Sequence, residues 1–198
     1  MTRWIGAAGV AMMVASATAV SAQGLTDLRK LYDAGQYQQV VGAPADDPRV
    51  AFLVAQSHEK LGHRDEARQA YGQLAARGGD DPWHDVGRSA LAVLASNPDE
   101  ALEAGNQAAA RSDSLAEAHF QRGVAFSMRQ DMGGASAAFE RATELDPSWA
   151  EAHYYAGLAY SKIKRIDLMA SHFDTFLKLA PRSPQRPEVQ SIMRTLGK

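Results

Sequence analysis

The histidines are the residues of this chain whose spacing comes closest to a catalytic or metal-binding motif. His58 and His63 enclose the segment His-Glu-Lys-Leu-Gly-His, which looks at first like the helical motif of zinc proteases. That motif needs histidines at positions i and i+4 on one helix face. Five residues at about 3.6 per turn instead separate the two rings by about 140 degrees. Gly62 also falls where a turn is expected, so the segment predicts no zinc site.

His119 and His153 share an equivalent sequence context, but they are expected to lie too far apart for one metal ion. Equivalent residues of adjacent helical repeats are about 10 Å apart, whereas a zinc-bound nitrogen lies about 2.1 Å from the metal. We expect both imidazoles to pack between helices with a polar tip toward solvent. The chain has no Cys, no glycine-rich phosphate loop and no recognisable Ser-His-Asp arrangement. The sequence therefore predicts no enzyme, no cofactor and no metal site.

An internal repeat organises the chain. Ala-Glu-Ala-His-Phe at 116–120 recurs as Ala-Glu-Ala-His-Tyr at 150–154, a shift of 34 residues. Such a period is typical of helical solenoids, in which each unit buries its apolar face against its neighbours. The same shift relates four further pairs: Gly123 and Gly157, Phe126 and Tyr160, Phe139 and Phe173, Pro147 and Pro181.

These positions resemble the tetratricopeptide-repeat (TPR) family, whose unit places a bulky residue, Gly, an aromatic, Ala, Phe and Pro at fixed intervals. The resemblance implies an all-α fold, a right-handed superhelical solenoid of antiparallel helix pairs. Small residues at the eighth and twentieth positions let the paired helices approach closely. Proline at position 32 ends the second helix because it has no amide hydrogen. The departure is at position 4, where the family often has Trp and this chain has His119 and His153.

The register predicts the domain organisation. Four repeats follow one another at 48–81, 82–115, 116–149 and 150–183, and the second is degenerate, with Ser89 at position 8 and Gly105 at position 24. Residues 23–47 are predicted to form an N-terminal capping helical hairpin, and residues 184–198 a C-terminal capping helix. Caps are expected because the terminal faces of a solenoid would otherwise expose core.

The N-terminus has the pattern of an export signal. Arg3 precedes an uncharged stretch from Ile5 to Val20, and the small residues Ser21 and Ala22 follow it. This is the anatomy of a signal peptide over residues 1–22, with cleavage after Ala22. The prediction is a periplasmic or secreted protein with no integral membrane span after cleavage. An uncleaved N-terminal anchor is the alternative.

The charge balance argues against nucleic acid as a partner. The chain has 21 basic and 23 acidic residues, a formal net charge of −2. Basic residues are scattered among acidic ones, whereas binding to a polyanion depends on clustered Lys and Arg.

The resemblance implies a concave inner surface lined by the first helix of each repeat. Its fifth position is apolar in all four repeats, which suggests a partly apolar, partner-binding groove. The predicted groove residues are Phe52, Val86, Phe120, Val124, Met128, Trp149, Tyr154 and Leu158. The predicted polar rim is Glu59, Lys60, Glu117, Glu151 and Lys162. The alternative is that the apolar residues pack between neighbouring first helices or under the C-terminal helix.

Three functions remain open from the sequence. The first is an exported scaffold or adaptor that binds a protein or peptide through the groove. The second is a structural subunit of a bacterial envelope assembly, such as a secretion, pilus or cell-wall complex, that uses the convex face or the ends. The third is an enzyme or small-ligand binder that uses the histidines, which predicts bound metal or ligand in the purified protein.

Overall fold

The described residues, 24–195 of a computed structural model, form eleven helices joined by turns and short loops. No strand occurs among them, which confirms the all-α prediction. The predicted signal peptide and the last three residues lie outside this range. The helices are α1 Leu25–Asp33, α2 Tyr37–Val40, α3 Pro48–Lys60, α4 Arg64–Ala75, α5 Pro82–Leu94, α6 Pro98–Arg111, α7 Ala116–Met128, α8 Met132–Leu145, α9 Ala150–Lys162, α10 Ile166–Leu179 and α11 Arg186–Thr195.

Helices α3 to α10 form four consecutive pairs, and each helix packs on the next along the chain. The first helices of the pairs begin at residues 48, 82, 116 and 150, which is a constant spacing of 34. The hairpin of α1 and α2 precedes the first pair, and α11 packs on α10. This is the predicted solenoid of helix pairs. No helix between residues 24 and 195 is both long enough and apolar enough to cross a bilayer.

Local sequence accounts for the helix boundaries. Asp47 and Asp81 each accept a hydrogen bond from the backbone N–H two residues later, and each precedes a proline at the first helical position. This combination is a strong start signal because proline needs no hydrogen-bond partner there. The turn inside each pair contains one residue with positive φ, which is favourable for glycine and costly for other residues. These residues recur every 34 positions: Gly62, Ser96, Gln130 and Lys164.

Close approach of paired helices explains the glycines at position 8. A Cβ atom at Gly123 would lie 2.6 Å from ring atoms of Phe139, and one at Gly157 would lie 2.5 Å from the ring of Phe173. Both phenylalanine rings are buried, so neither has room to move away. In the degenerate repeat, Ser89 takes this position and donates a 2.8 Å hydrogen bond to a carbonyl oxygen of α6.

The N-terminal hairpin contacts repeats that are distant in sequence. Arg29 of α1 contacts the carboxylates of Glu117 at 3.4 Å and of Asp146, which belong to the third repeat. The hydroxyl of Tyr32 donates a 2.9 Å hydrogen bond to Glu151 at the start of α9. The hairpin therefore does more than cover the first pair. It reaches across to the third and fourth repeats.

Candidate functional site

A cavity of about 300 Å³ lies between the first helices of the pairs and the N-terminal hairpin. Its wall is formed by residues of α1, α3, α4, α5, α7 and α9, so it spans the first helices of all four repeats and the N-terminal hairpin. The volume lies at the lower end of the range of about 300–1,000 Å³ that is typical of ligand pockets. The cavity is the candidate functional site.

Glu151 joins three of the elements that form the cavity. One of its carboxylate oxygens accepts hydrogen bonds from the Tyr32 hydroxyl at 2.9 Å and from Lys60 Nζ at 2.9 Å. The other accepts from Gln56 Nε2 at 3.1 Å. Glu151 is buried, and its charge raises the pKa of Lys60, which stays protonated. Both carboxylate oxygens of Glu151 are therefore occupied by groups of the protein itself.

Glu59 is the second carboxylate in the wall. It accepts a hydrogen bond from the Tyr71 hydroxyl of α4. Burial raises the pKa of Glu59, and the nearby charge of Glu151 raises it further. Tyr71 is fully buried, and burial together with Glu59 raises the pKa of its hydroxyl. This hydrogen bond fixes one carboxylate oxygen of Glu59.

Two amide oxygens in the wall have no hydrogen-bond partner. Among residues 24–195, Gln56 Oε1 and Gln121 Oε1 are buried without a partner, and the two residues are 7 % and 4 % exposed. The orientation of the Gln56 amide is fixed because its nitrogen donates to Glu151. An unsatisfied buried polar group costs about 1–3 kcal/mol. The wall thus keeps hydrogen-bonding capacity that the protein does not use.

Comparison with known proteins agrees with this architecture. Residues 49–77 match the model described as a tetratricopeptide repeat. One similar solved structure is a thermophilic TPR protein of Thermus thermophilus, with 20 % identity, 85 % of this chain and 96 % of that chain covered, and a TM-score of 0.63. The chain has the fold of a TPR protein. MamA is a second similar structure, with 15 % identity, 79 % and 95 % coverage and a TM-score of 0.50. A search of curated proteins gave no match.

Four of the eight predicted groove residues lie in the hydrophobic core of the TPR solenoid. Phe52, Val86, Phe120 and Trp149 are 2 %, 0 %, 2 % and 4 % exposed. Phe120 and Trp149 stack with ring centroids 4.5 Å apart, and the Arg29 guanidinium covers the Trp149 ring at 5.2 Å. This burial corresponds to the alternative of internal packing, because fifth-position side chains lie between neighbouring first helices. Of the four, Phe120 also lines the cavity.

The other four predicted groove residues are half-buried, and they differ in their surroundings. Val124 lines the cavity, and its role in binding a partner stays a prediction, as does that of Met128. The hydroxyl of Tyr154 donates a 2.9 Å hydrogen bond to Glu188 of α11. Leu158 packs on the core of the last pair. Tyr154 and Leu158 thus serve the junction between the fourth repeat and the C-terminal helix.

The predicted polar rim is partly wrong. Glu117 and Glu151 are 4 % and 8 % exposed, because α1 covers them and supplies hydrogen-bond partners to both. Glu59 and Lys60 do line the cavity. Gln56 escaped prediction although it occupies the ninth position of its repeat, which the family assigns to the inner surface. Gln56 was missed because the groove prediction was based on apolar side chains, and Gln56 is polar.

The two position-4 histidines are structural, and the prediction of solvent-facing tips is wrong. The Nε2 atom of His119 lies 3.0 Å from the carbonyl oxygen of Asp113, and that of His153 lies 3.2 Å from the carbonyl oxygen of Pro147. The loop before each first helix thus covers the ring. His153 Nδ1 also lies 3.0 Å from His172 Nδ1. Within residues 24–195, no group of three or more His, Asp or Glu side chains is placed to hold a metal ion.

Proposed function

We propose that this chain is an exported TPR scaffold, not an enzyme, that binds a segment of a protein partner in its concave cavity. The observation that carries the proposal is a cavity wall with buried hydrogen-bonding groups that have no partner among residues 24–195. Such groups are costly unless a ligand or water satisfies them. TPR proteins bind protein or peptide partners, and the fold of this chain therefore supports the same class of function.

Export rests on the sequence of residues 1–22. An uncharged stretch after Arg3 and small residues before Gln23 are what signal peptidase recognises. The test is to fractionate cells that express the full chain and to sequence the N-terminus of the purified protein. A mature protein that begins at Gln23 in the periplasmic or secreted fraction supports the proposal. Protein that retains Met1 and stays with the membrane favours the uncleaved anchor instead.

A structural subunit of an envelope assembly is the alternative function. Ile163 and Ile166 flank the turn of the last pair and are 38 % and 45 % exposed, which is high for large apolar side chains. Exposed apolar residues at one end of a solenoid suit contact with another protein. On this alternative, the partner would contact the end of the solenoid and leave the cavity empty.

Site-specific photo-crosslinking distinguishes the two functions. A benzophenone amino acid replaces Val124 in the cavity or Ile166 at the end of the solenoid, and cells are irradiated before purification. We expect a discrete crosslinked partner from position 124 and none of the same mass from position 166. The reverse pattern would support the envelope assembly. The absence of any crosslink from position 124 would contradict the cavity as the partner site.

A further inference from the structure

Two buried atoms of the cavity wall that lack a hydrogen-bond partner within residues 24–195 are acceptors. The hydroxyls of Tyr32 and Tyr71 and the amide nitrogen of Gln56 donate to the two carboxylates of the wall. The amide oxygens of Gln56 and Gln121 accept from no group in the part of the chain that the structure describes, although both residues are more than nine-tenths buried. A ligand that fits this wall must therefore bring hydrogen-bond donors.

The charge of the wall favours a cation. Glu59 and Glu151 face a single ammonium group, that of Lys60. Lys60 pairs with Glu151 at 2.9 Å. Within residues 24–195 Glu59 forms no salt bridge, and Lys60 and Arg64 act on it only through the attraction of their charges, which lowers its pKa. The Glu59 carboxylate receives only the neutral hydroxyl of Tyr71. A cationic donor would add the attraction of opposite charges to its hydrogen bond with this carboxylate.

Aromatic rings complete the site. Phe120 and Tyr155 line the cavity, and their ring centroids lie 5.7 Å apart in an edge-to-face arrangement. Trp149 stacks on Phe120 and Phe139 stacks on Tyr155, so each ring has only its other face available to a ligand. Aromatic faces attract a guanidinium or ammonium group within about 6 Å, and arginine stacks on them more often than lysine. Guanidinium also carries five donors in a planar fork, which suits acceptors that lie on separate helices.

We infer that the cavity binds a basic side chain of the partner segment, with arginine preferred, through Glu59 and the amide oxygens of Gln56 and Gln121. The inference rests on the proposed function, because it names the chemistry that the cavity selects in its partner. It predicts that the segment crosslinked from Val124 contains an arginine or a lysine.

Titration with minimal ligands tests the inference before the partner has been identified. Wild-type protein, labelled with ¹⁵N, is titrated with N-acetyl-arginine amide and with its uncharged analogue N-acetyl-citrulline amide. We expect the arginine compound to shift the resonances of cavity residues, including the side-chain amides of Gln56 and Gln121. Citrulline amide should bind at least tenfold more weakly, and a tenfold difference corresponds to about 1.4 kcal/mol. Equal shifts from both ligands would overturn the inference. The absence of shifts from either ligand at about 50 mM would also overturn it, because a Kd far above about 1 mM is too weak to select an arginine side chain.

Variants locate the bound cation. Glu59→Gln keeps the size of the side chain and removes its charge, and we expect it to weaken arginine amide binding about fivefold, which corresponds to about 1 kcal/mol. Glu66→Gln on the exposed face of α4 is the matched control, and binding should be unchanged. The same loss in both variants would mean that only the overall charge matters, which contradicts the cavity site. A partner crosslinked from Val124 with no charge preference would leave the proposed function standing and sink this inference alone.

Discussion

Replacement of Arg29 by Ala should detach the N-terminal hairpin from the third and fourth repeats. The guanidinium contacts Glu117 and Asp146 and lies over the Trp149 ring. Its side chain is 17 % exposed, and that of Glu117 is 5 % exposed. Lys30, the next residue, supplies the control, because it pairs with Asp27 at the surface with 72 % and 61 % of the two side chains exposed.

The magnitude follows from burial. Two unit charges 3.4 Å apart attract by about 5 kcal/mol at an effective dielectric of about 20, and desolvation of both groups offsets most of this. Removal of one partner leaves the other buried without a counter-charge, at a cost of about 3–5 kcal/mol. Loss of the contact with Trp149 adds about 0.5–1 kcal/mol. After a discount for the partial exposure of Arg29, we expect a loss of about 3 kcal/mol. The Lys30 pair is worth about 0.2–0.5 kcal/mol.

Amide hydrogen exchange and tryptophan emission measure the two effects. A loss of about 3 kcal/mol should raise exchange in α1 about 100-fold in Arg29→Ala and leave α7 and α8 nearly unchanged, because the opening is local. Emission from Trp149, 4 % exposed in the wild type, should shift to longer wavelength. Lys30→Ala should change neither quantity. Equal effects of the two substitutions would refute the closure of the solenoid through Arg29.

Four further substitutions test packing and ionisation. Gly87→Ala would place a Cβ atom 2.4 Å from a backbone nitrogen of α4. Urea unfolding should therefore show that the free energy of unfolding falls by about 2–3 kcal/mol. Gly72→Ala, which adds a Cβ atom in open space on α4, should raise the free energy of unfolding by about 0.5–1 kcal/mol. Burial lowers the pKa of His153 and of His172, so the free energy of unfolding should fall as pH drops below about 6.5, and His172→Phe should flatten this fall. Burial raises the pKa of Asp33 to about 7. The stability that the protonated Asp33 carboxyl contributes to the folded state is therefore fully present below about pH 4 and is lost as pH rises through about 7. Asp33→Asn should therefore stabilise the protein at about pH 8 by about 1–2 kcal/mol, after a discount for solvent, in the same unfolding assay.

The repeat register and the helix starts could be predicted from sequence because both are set locally. Asp47 and Asp81 precede proline in equivalent positions, and these caps begin the first helices of their pairs. Gly123 marked a close helix approach, and the ring of Phe139 occupies that space. A residue's place in the 34-residue unit is enough to predict such features, since the contacts lie within one helix pair.

The cavity could not be predicted because it depends on contacts between distant segments. Arg29 and Glu117 are 88 positions apart, and Tyr32 and Glu151 are 119 apart. The N-terminal hairpin carries no repeat register that would place it against α9. The apolar fifth position was ambiguous for a related reason. A side chain such as Val86 is apolar whether it meets a partner or the next helix, and only packing between repeats decides.

Affinity for the crosslinked partner is the most direct test of the central claim that the concave cavity is the binding site. Val124→Trp fills the cavity, and Ile166→Trp adds the same side chain at the end of the solenoid. Isothermal titration with the purified partner should show at least tenfold weaker binding for Val124→Trp, a loss of at least about 1.4 kcal/mol of binding free energy. Ile166→Trp should bind the partner with nearly wild-type affinity. Wild-type affinity in a folded Val124→Trp protein, with loss in Ile166→Trp, would contradict the account.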